Sequence, residues 1–163
     1  QQIVNGIFMR EDGVRIAEIT NGTSQTIAIG EYTFIAEISR ETTAQDGGGC
    51  FIYGTVRTDT GLAGGQDSRL MATGRWAINQ WSATNSRPGR EAFSSKHPGG
   101  AQFVFSDGHV QFVSENIQHT ARTATLYPAS TTADPFDQAN GGARYGVYQR
   151  LFSRNDALPV GEF

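Results

Sequence analysis

Three histidines, His97, His109 and His119, and the single cysteine, Cys50, are the side chains in this sequence best suited to acid–base, nucleophilic or metal chemistry near neutral pH. His97 is followed by nine residues and then the pair Asp107-Gly108, so a shared proton or metal is the first reading to weigh. The intervening run reads as an extended strand. About five residues at ~3.3 Å each put the two side chains well over ~15 Å apart unless the chain folds back at Pro98-Gly99-Gly100. The favoured reading is therefore structural: Asp107-Gly108 makes a turn, Gly99-Gly100 an entry bend, and His97 bonds local backbone. His109 and His119 have no H-x-x-x-H spacing, and no Cys/His cluster exists. Ser94-Ser95 lacks the G-x-S-x-G strand–turn–helix context of a hydrolase nucleophile. Cys50 has no histidine, lysine or arginine beside it to lower its pKa, and reads as a small buried residue.

Two weaker constellations bear on binding. Asp46, Asp59 and Asp67 lie in Gly-rich loops that also offer carbonyl oxygens, which makes them candidate calcium ligands without any EF-hand spacing. Trp76, Trp81 and Tyr53 are candidates for an aromatic platform that stacks on sugar faces. Burial in or beside the core is the favoured reading for all three.

The run that positions these residues is Phe93–Ile117. Asp107-Gly108 sits between two apolar-alternating segments, a strong hairpin signal because a type I′ turn needs φ > 0 at both central residues. A two-residue loop pairs Phe105 with Val110, Phe103 with Phe112 and Gln102 with Val113. Phe103, Phe105, Val110 and Phe112 then share the core face. Gln102, Val104, Ser106, His109, Gln111 and Val113 share the other.

Elsewhere, Ile3–Met9 reads as a short strand with a turn at Glu11-Asp12-Gly13. Val14–Ile19 fits a helical turn as well as a strand. Asn21-Gly22-Thr23-Ser24 is a turn by chemistry. Gln25–Ser39 is the longest strand candidate. Ile27 and Ile29 hold one phase, and Tyr32, Phe34, Ala36 and Ile38 the other, which predicts a bulge or bend at Gly30-Glu31. Cys50–Arg57 is a further strand. Ser114–Ile117 leaves the hairpin as a turn, and residues 118–142 read as an inserted loop region. Tyr145, Tyr148 and Phe152, with Val147 and Leu151, predict a helix over Ala143–Phe152. Its Arg150 and Arg154 suit the C-terminal dipole.

These elements make a single α+β, β-rich domain of antiparallel sheet with a short C-terminal helix. A count of 20 glycines in 163 residues, with few charges, agrees with a turn-rich β protein. The formal net charge of −3, with Lys96 the only lysine, gives no case for nucleic acid. No apolar run of about 18 residues spans a membrane, and no signal peptide is visible. The chain opens on Gln1, so it is expected to be a piece or processed form of a longer protein.

At the hairpin the sequence resembles a known family. His97, nine residues, then Asp107-Gly108 is similar to the H-X9-DG signature of the DUF1559 family, abundant in planctomycetes. VRIAEITNGTSQTIAIGE, Val14–Glu31, resembles a second block of that family, with Asn21 where the family usually has Asp. YGVYQRLFSRNDALPVGEF, Tyr145–Phe163, resembles its C-terminus. The matching positions are His97, Gly99, Gly100, Asp107, Gly108, Gly22, Thr23, Ser24, Gly30 and Glu31, and the resemblance assigns them structural roles. It implies a pilin- or pseudopilin-like head lacking an N-terminal stalk helix, exported to the cell surface. Such a head packs with other subunits, its own copies included, without catalysis or cofactor. The membrane enters only through the helix absent from this chain. A surface module binding glycan or another solute is the alternative, and a hydrolase the third reading.

Overall fold

The computed structural model describes residues 6–8, 13–33, 72, 74–80, 92–120, 141–142, 145–161 and 163. Among the described residues the fold is α+β: a three-stranded antiparallel sheet and one short helix. Strands β1 (Ile27–Gly30), β2 (Gly100–Phe105) and β3 (Val110–Ser114) lie in the order β1-β2-β3. Helix α1 is Val147–Arg150.

β2 and β3 are joined by a turn one residue longer than a type I′ loop. The Phe105 N–H donates to the His109 carbonyl at 2.9 Å, and the Gly108 N–H to the Phe105 carbonyl at 2.9 Å. Gly108 has φ 92°. This is a three-residue loop, Ser106-Asp107-Gly108, closed by a left-handed glycine. The register is accordingly Val104↔Val110, Phe103↔Gln111, Gln102↔Phe112 and Ala101↔Val113. That corrects the two-residue-loop register by one position. Because side chains alternate faces, the slip turns β3 over. Val113, only 2% exposed, joins Ala101, Phe103 and Phe105 in the core, whereas Val110 and Phe112 are 62% and 42% exposed.

β1 also departs from its expected phase. Ile27 pairs with Phe105 but Ile29 pairs with Val104, so the extra residue is Ala28. The bulge therefore falls two residues before Gly30. It sends Ile27 into the core and leaves Ile29 exposed. Gly30 instead meets a packing demand: a Cβ there would sit 2.5 Å from the rings of Phe103 and Phe93. Residues 34–39 of the long strand candidate, and the Cys50–Arg57 strand, lie outside the described residues.

Val14–Ile19 resolves as a 3-10 turn over Ile16–Glu18, braced by the Arg15 guanidinium on Glu18 at 2.9 Å. Helix α1 is far shorter than Ala143–Phe152. Gly146 adopts an extended conformation before it. A side chain there would strike the Gln118 carbonyl. After Arg150 the chain tightens into i→i+3 bonds, Phe152 N–H to Gln149 O and Ser153 N–H to Arg150 O.

This short helix still caps the sheet. Tyr148 and Leu151 are fully buried, and the core unites them with Ile27, Phe93, Phe103, Phe105, Val113 and Val160. Phe103 sits edge-on to Phe93 at 5.2 Å, Phe93 stacks on Phe152 at 5.1 Å, and Tyr148 meets Phe152 edge-on at 5.0 Å. Burial raises the Tyr148 phenol far above its ordinary pKa. Buried Gln149 donates its amide to the Thr120 carbonyl at 2.8 Å and accepts the Thr120 N–H at 3.3 Å.

Candidate functional site

The end of β1 brings a polar cluster to the start of β2. Glu31 follows Gly30, and its carboxylate accepts the Gln102 N–H at 2.7 Å. The Ser95 hydroxyl also bonds to it. The second carboxylate oxygen lies 3.3 Å from His97 Nε2. Burial alone pushes the Glu31 carboxyl up. The Gln102 N–H, the Ser95 hydroxyl and His97 together outweigh that and hold it below its ordinary value.

The order of these groups decides what chemistry is open to them. In a nucleophile relay the imidazole stands between hydroxyl and carboxylate, so that the imidazole takes the hydroxyl proton. Here the carboxylate stands between Ser95 and His97. Among the described residues, the base that the Ser95 hydroxyl meets is a carboxylate stabilised in its charged form, which is a poor proton acceptor. His97 Nε2 faces Glu31, while its main-chain N–H donates to Ser95 Oγ at 3.1 Å. The imidazole is thus committed to a carboxylate rather than to local backbone as the sequence suggested.

A second layer fixes this cluster. The Ser94 N–H donates to the Glu31 carbonyl at 3.1 Å, and the Thr33 N–H to the Ser94 carbonyl at 3.0 Å. Asn79 accepts the Ser95 N–H at 2.9 Å and donates to Glu115 at 2.9 Å. Asn79 has φ 59°, a left-handed conformation that asparagine tolerates better than most residues. Local sequence does not report this bridging role: the local signal for it is the residue type alone, which tolerates the left-handed conformation.

Asp107 is committed elsewhere, in the loop beyond β2. One of its oxygens accepts the His109 N–H at 3.1 Å and lies 2.6 Å from His109 Nδ1. The His109 N–H, and then its ring, hold the Asp107 carboxyl below its ordinary value. His109 stacks on Phe105 at 4.4 Å. So His97 pairs with Glu31 and Asp107 with His109, with β2 between them.

The remaining positions fall into two further groups. Gly99 (φ 82°) and Gly22 (φ 99°) take left-handed or related backbone that a side chain would strain. Gly100 has no room for a Cβ, which would overlap the Val113 carbonyl and approach the Phe112 ring. Thr23 and Ser24 lie in a 3-10 turn. Trp76 is half-buried, with the Arg75 guanidinium 4.7 Å from its ring centre, so that face is occupied. His119 lies 3.1 Å from the Arg75 carbonyl. Trp81, Tyr53, Asp46, Asp59, Asp67 and Cys50 lie outside the described residues. Among the described residues no group of three or more His, Cys, Asp or Glu is placed to hold a metal ion. No described helix is long and apolar enough to cross a membrane.

The outer face of the sheet carries the other notable feature. Ile29, Val104 and Val110 lie in one row across the three strands, and Phe112 lies beside them over Gly100. Ile29, Val110 and Phe112 are all exposed.

The family description "Protein of unknown function (DUF1559)" matches this chain over residues 1–120 of its 163. No curated protein and no solved structure matches it.

Proposed function

The chain belongs to the DUF1559 family, and from that premise we propose that it is the head of an exported, pilin-like subunit that packs into a cell-surface assembly without catalysing a reaction. The observation that carries this reading is the apolar row Ile29–Val104–Val110 with Phe112 on the sheet face turned away from the core. An apolar face rimmed by polar groups is what an interaction surface requires. The Glu31–Ser95–His97 cluster fits a structural role, since its carboxylate ties β1 to β2 and has no poised base beside a nucleophile. The family-motif glycines fit the same role through left-handed backbone at Gly22, Gly99 and Gly108 and close approach at Gly30 and Gly100.

The alternative, a glycan-binding module, gains little from Trp76, whose ring is partly covered by Arg75. The test is a Val110→Ser/Phe112→Ser double variant in cells that make the protein. The expected result is a folded head that no longer enters the surface assembly. Normal incorporation of a folded double variant contradicts it.

A further inference from the structure

Asn21-Gly22 is a dipeptide with a chemistry of its own. When an asparagine precedes glycine, the glycine nitrogen can attack the side-chain amide carbon. A bond forms between Gly22 N and Asn21 Cγ, the Cγ–Nδ2 bond breaks, and ammonia leaves as the Gly22 N–H loses its proton. Water then opens the cyclic imide at either carbonyl, giving aspartate or isoaspartate. The net change is one water consumed and one ammonia released.

The folded protein holds every group in this reaction elsewhere. Asn21 Nδ2 donates to the Ser153 carbonyl at 3.0 Å and to Asp156 Oδ1 at 2.6 Å. Asn21 Oδ1 accepts the Ala157 N–H at 3.1 Å. The attacking nitrogen is also engaged, since the Gly22 N–H donates to the Ile19 carbonyl at 3.3 Å. The Asn21 main-chain N–H donates to the Arg154 carbonyl at 3.0 Å. Cyclisation needs the side chain to leave three bonds and swing onto its neighbour.

The same bonds hold the C-terminal segment. Asp156, 3% exposed, accepts the Leu158 N–H at 2.9 Å through the oxygen that meets Asn21. Ala157 is held at φ 56°, a costly conformation for alanine, next to its bond from Asn21. Leu158 and Val160 are buried beyond it. An aspartate at position 21 has no side-chain N–H to offer Ser153 or Asp156, and it places an acceptor where a donor stood.

We infer that Asn21-Gly22 is a deamidation site gated by folding: the native clamp shields the amide, and conversion in the unfolded chain removes the tie that holds Asp156–Val160 on the body. Asn5-Gly6 and Asn140-Gly141 share the dipeptide and serve as references for its local chemistry.

The experiment incubates the full chain at mildly alkaline pH, native and in urea, and measures conversion at each dipeptide by peptide mass spectrometry. In urea the three sites are expected to convert at similar rates. In the native protein Asn21 is expected to convert at least about ten-fold more slowly than in urea, because reaction waits for local opening. Equal native and unfolded rates at Asn21 overturn the proposal. In a second arm, Asn21→Asp is compared with the parent by thermal melting and amide exchange. A lower melting temperature with faster exchange at Leu158 and Val160 is expected, and unchanged values overturn the consequence drawn for the C-terminal segment. If Asn21→Asp does not fold, the native-against-urea comparison on the parent chain still decides the gating.

Discussion

Val113→Ala and Val110→Ala make the same chemical change on the same strand, three residues apart, and their difference measures the register of the hairpin. Val113 is 2% exposed and Val110 62% exposed. Each substitution removes two methyl groups' worth of side chain and some β-propensity, worth up to ~1 kcal/mol, and the propensity loss is shared by both. At Val113 the removed atoms leave the core. At ~0.8 kcal/mol per buried carbon, with a cavity contribution added, the loss comes to about 2–3 kcal/mol. At Val110 most of that surface already faces water, so the loss is about 0.5–1 kcal/mol, mainly propensity. The difference of about 2 kcal/mol corresponds to a gap of about 4–8 °C in Tm for a chain of this length. Urea titration and thermal melting of both variants read it directly. Equal losses, or a larger loss at Val110, refute the three-residue loop and restore the two-residue register.

Gly100→Ala is expected to destabilise the sheet severely, because its Cβ overlaps the backbone carbonyl of Val113, whereas Gly108→Ala meets open space and loses only about 1 kcal/mol from its positive φ; urea unfolding separates the two. Arg150 donates to the carbonyls of Tyr145, Pro159, Gly141 and Gly142. Arg150→Lys replaces that planar fork with a point charge and is expected to cost about 2 kcal/mol by the same assay, with no rescue of the loops it ties. The Glu31 carboxyl is held below its ordinary value in the folded state. Its contribution to stability is therefore complete above the unfolded carboxylate pKa and is lost as the pH falls through the lower folded value. Melting curves across acid pH should show Glu31→Gln with a flatter acid limb than the parent. An identical acid limb in the variant argues against the Gln102–Ser95–His97 bonding of that carboxylate.

The parts of the fold legible in the sequence are those fixed by local chemistry. Asn21-Gly22 and Asp107-Gly108 marked turns because glycine supplies φ > 0, and Gly22 and Gly108 do lie there. The spacing of Tyr148 and Leu151 predicts a helix, and a shorter one forms there with Tyr148 inside it and Leu151 at its end. The register was not legible, because a type I′ loop and a three-residue loop with a left-handed glycine both accommodate Asp-Gly. The alternating apolar residues of β3 also satisfy either face, with Val113 in place of Phe112. The bulge at Ala28 was misplaced for a similar reason. Gly30 suggested a bend, but its missing side chain serves the Phe103 and Phe93 rings. Of the polar cluster, His97 stood out by type. Its partner Glu31 lies 66 positions away in sequence and meets it only through the pairing of β1 with β2. Nothing in local spacing reports such a contact. Asn79 and Asn21 were hidden in the same way, because their bonds to Glu115 and Asp156 depend on tertiary packing.

In the function proposed for this chain, the outer sheet face packs against another subunit of a surface assembly. Photo-crosslinking from position 112 tests it most directly, with a benzoylphenylalanine in place of Phe112 in cells that make the protein. The same probe at Ile16, 74% exposed on the 3-10 turn, is the control. One discrete crosslinked product outside the cytoplasm is expected from position 112, joining the chain to an exported subunit or to a second copy of itself, with none from position 16. Absence of a product at 112, or identical products from both positions, contradicts it.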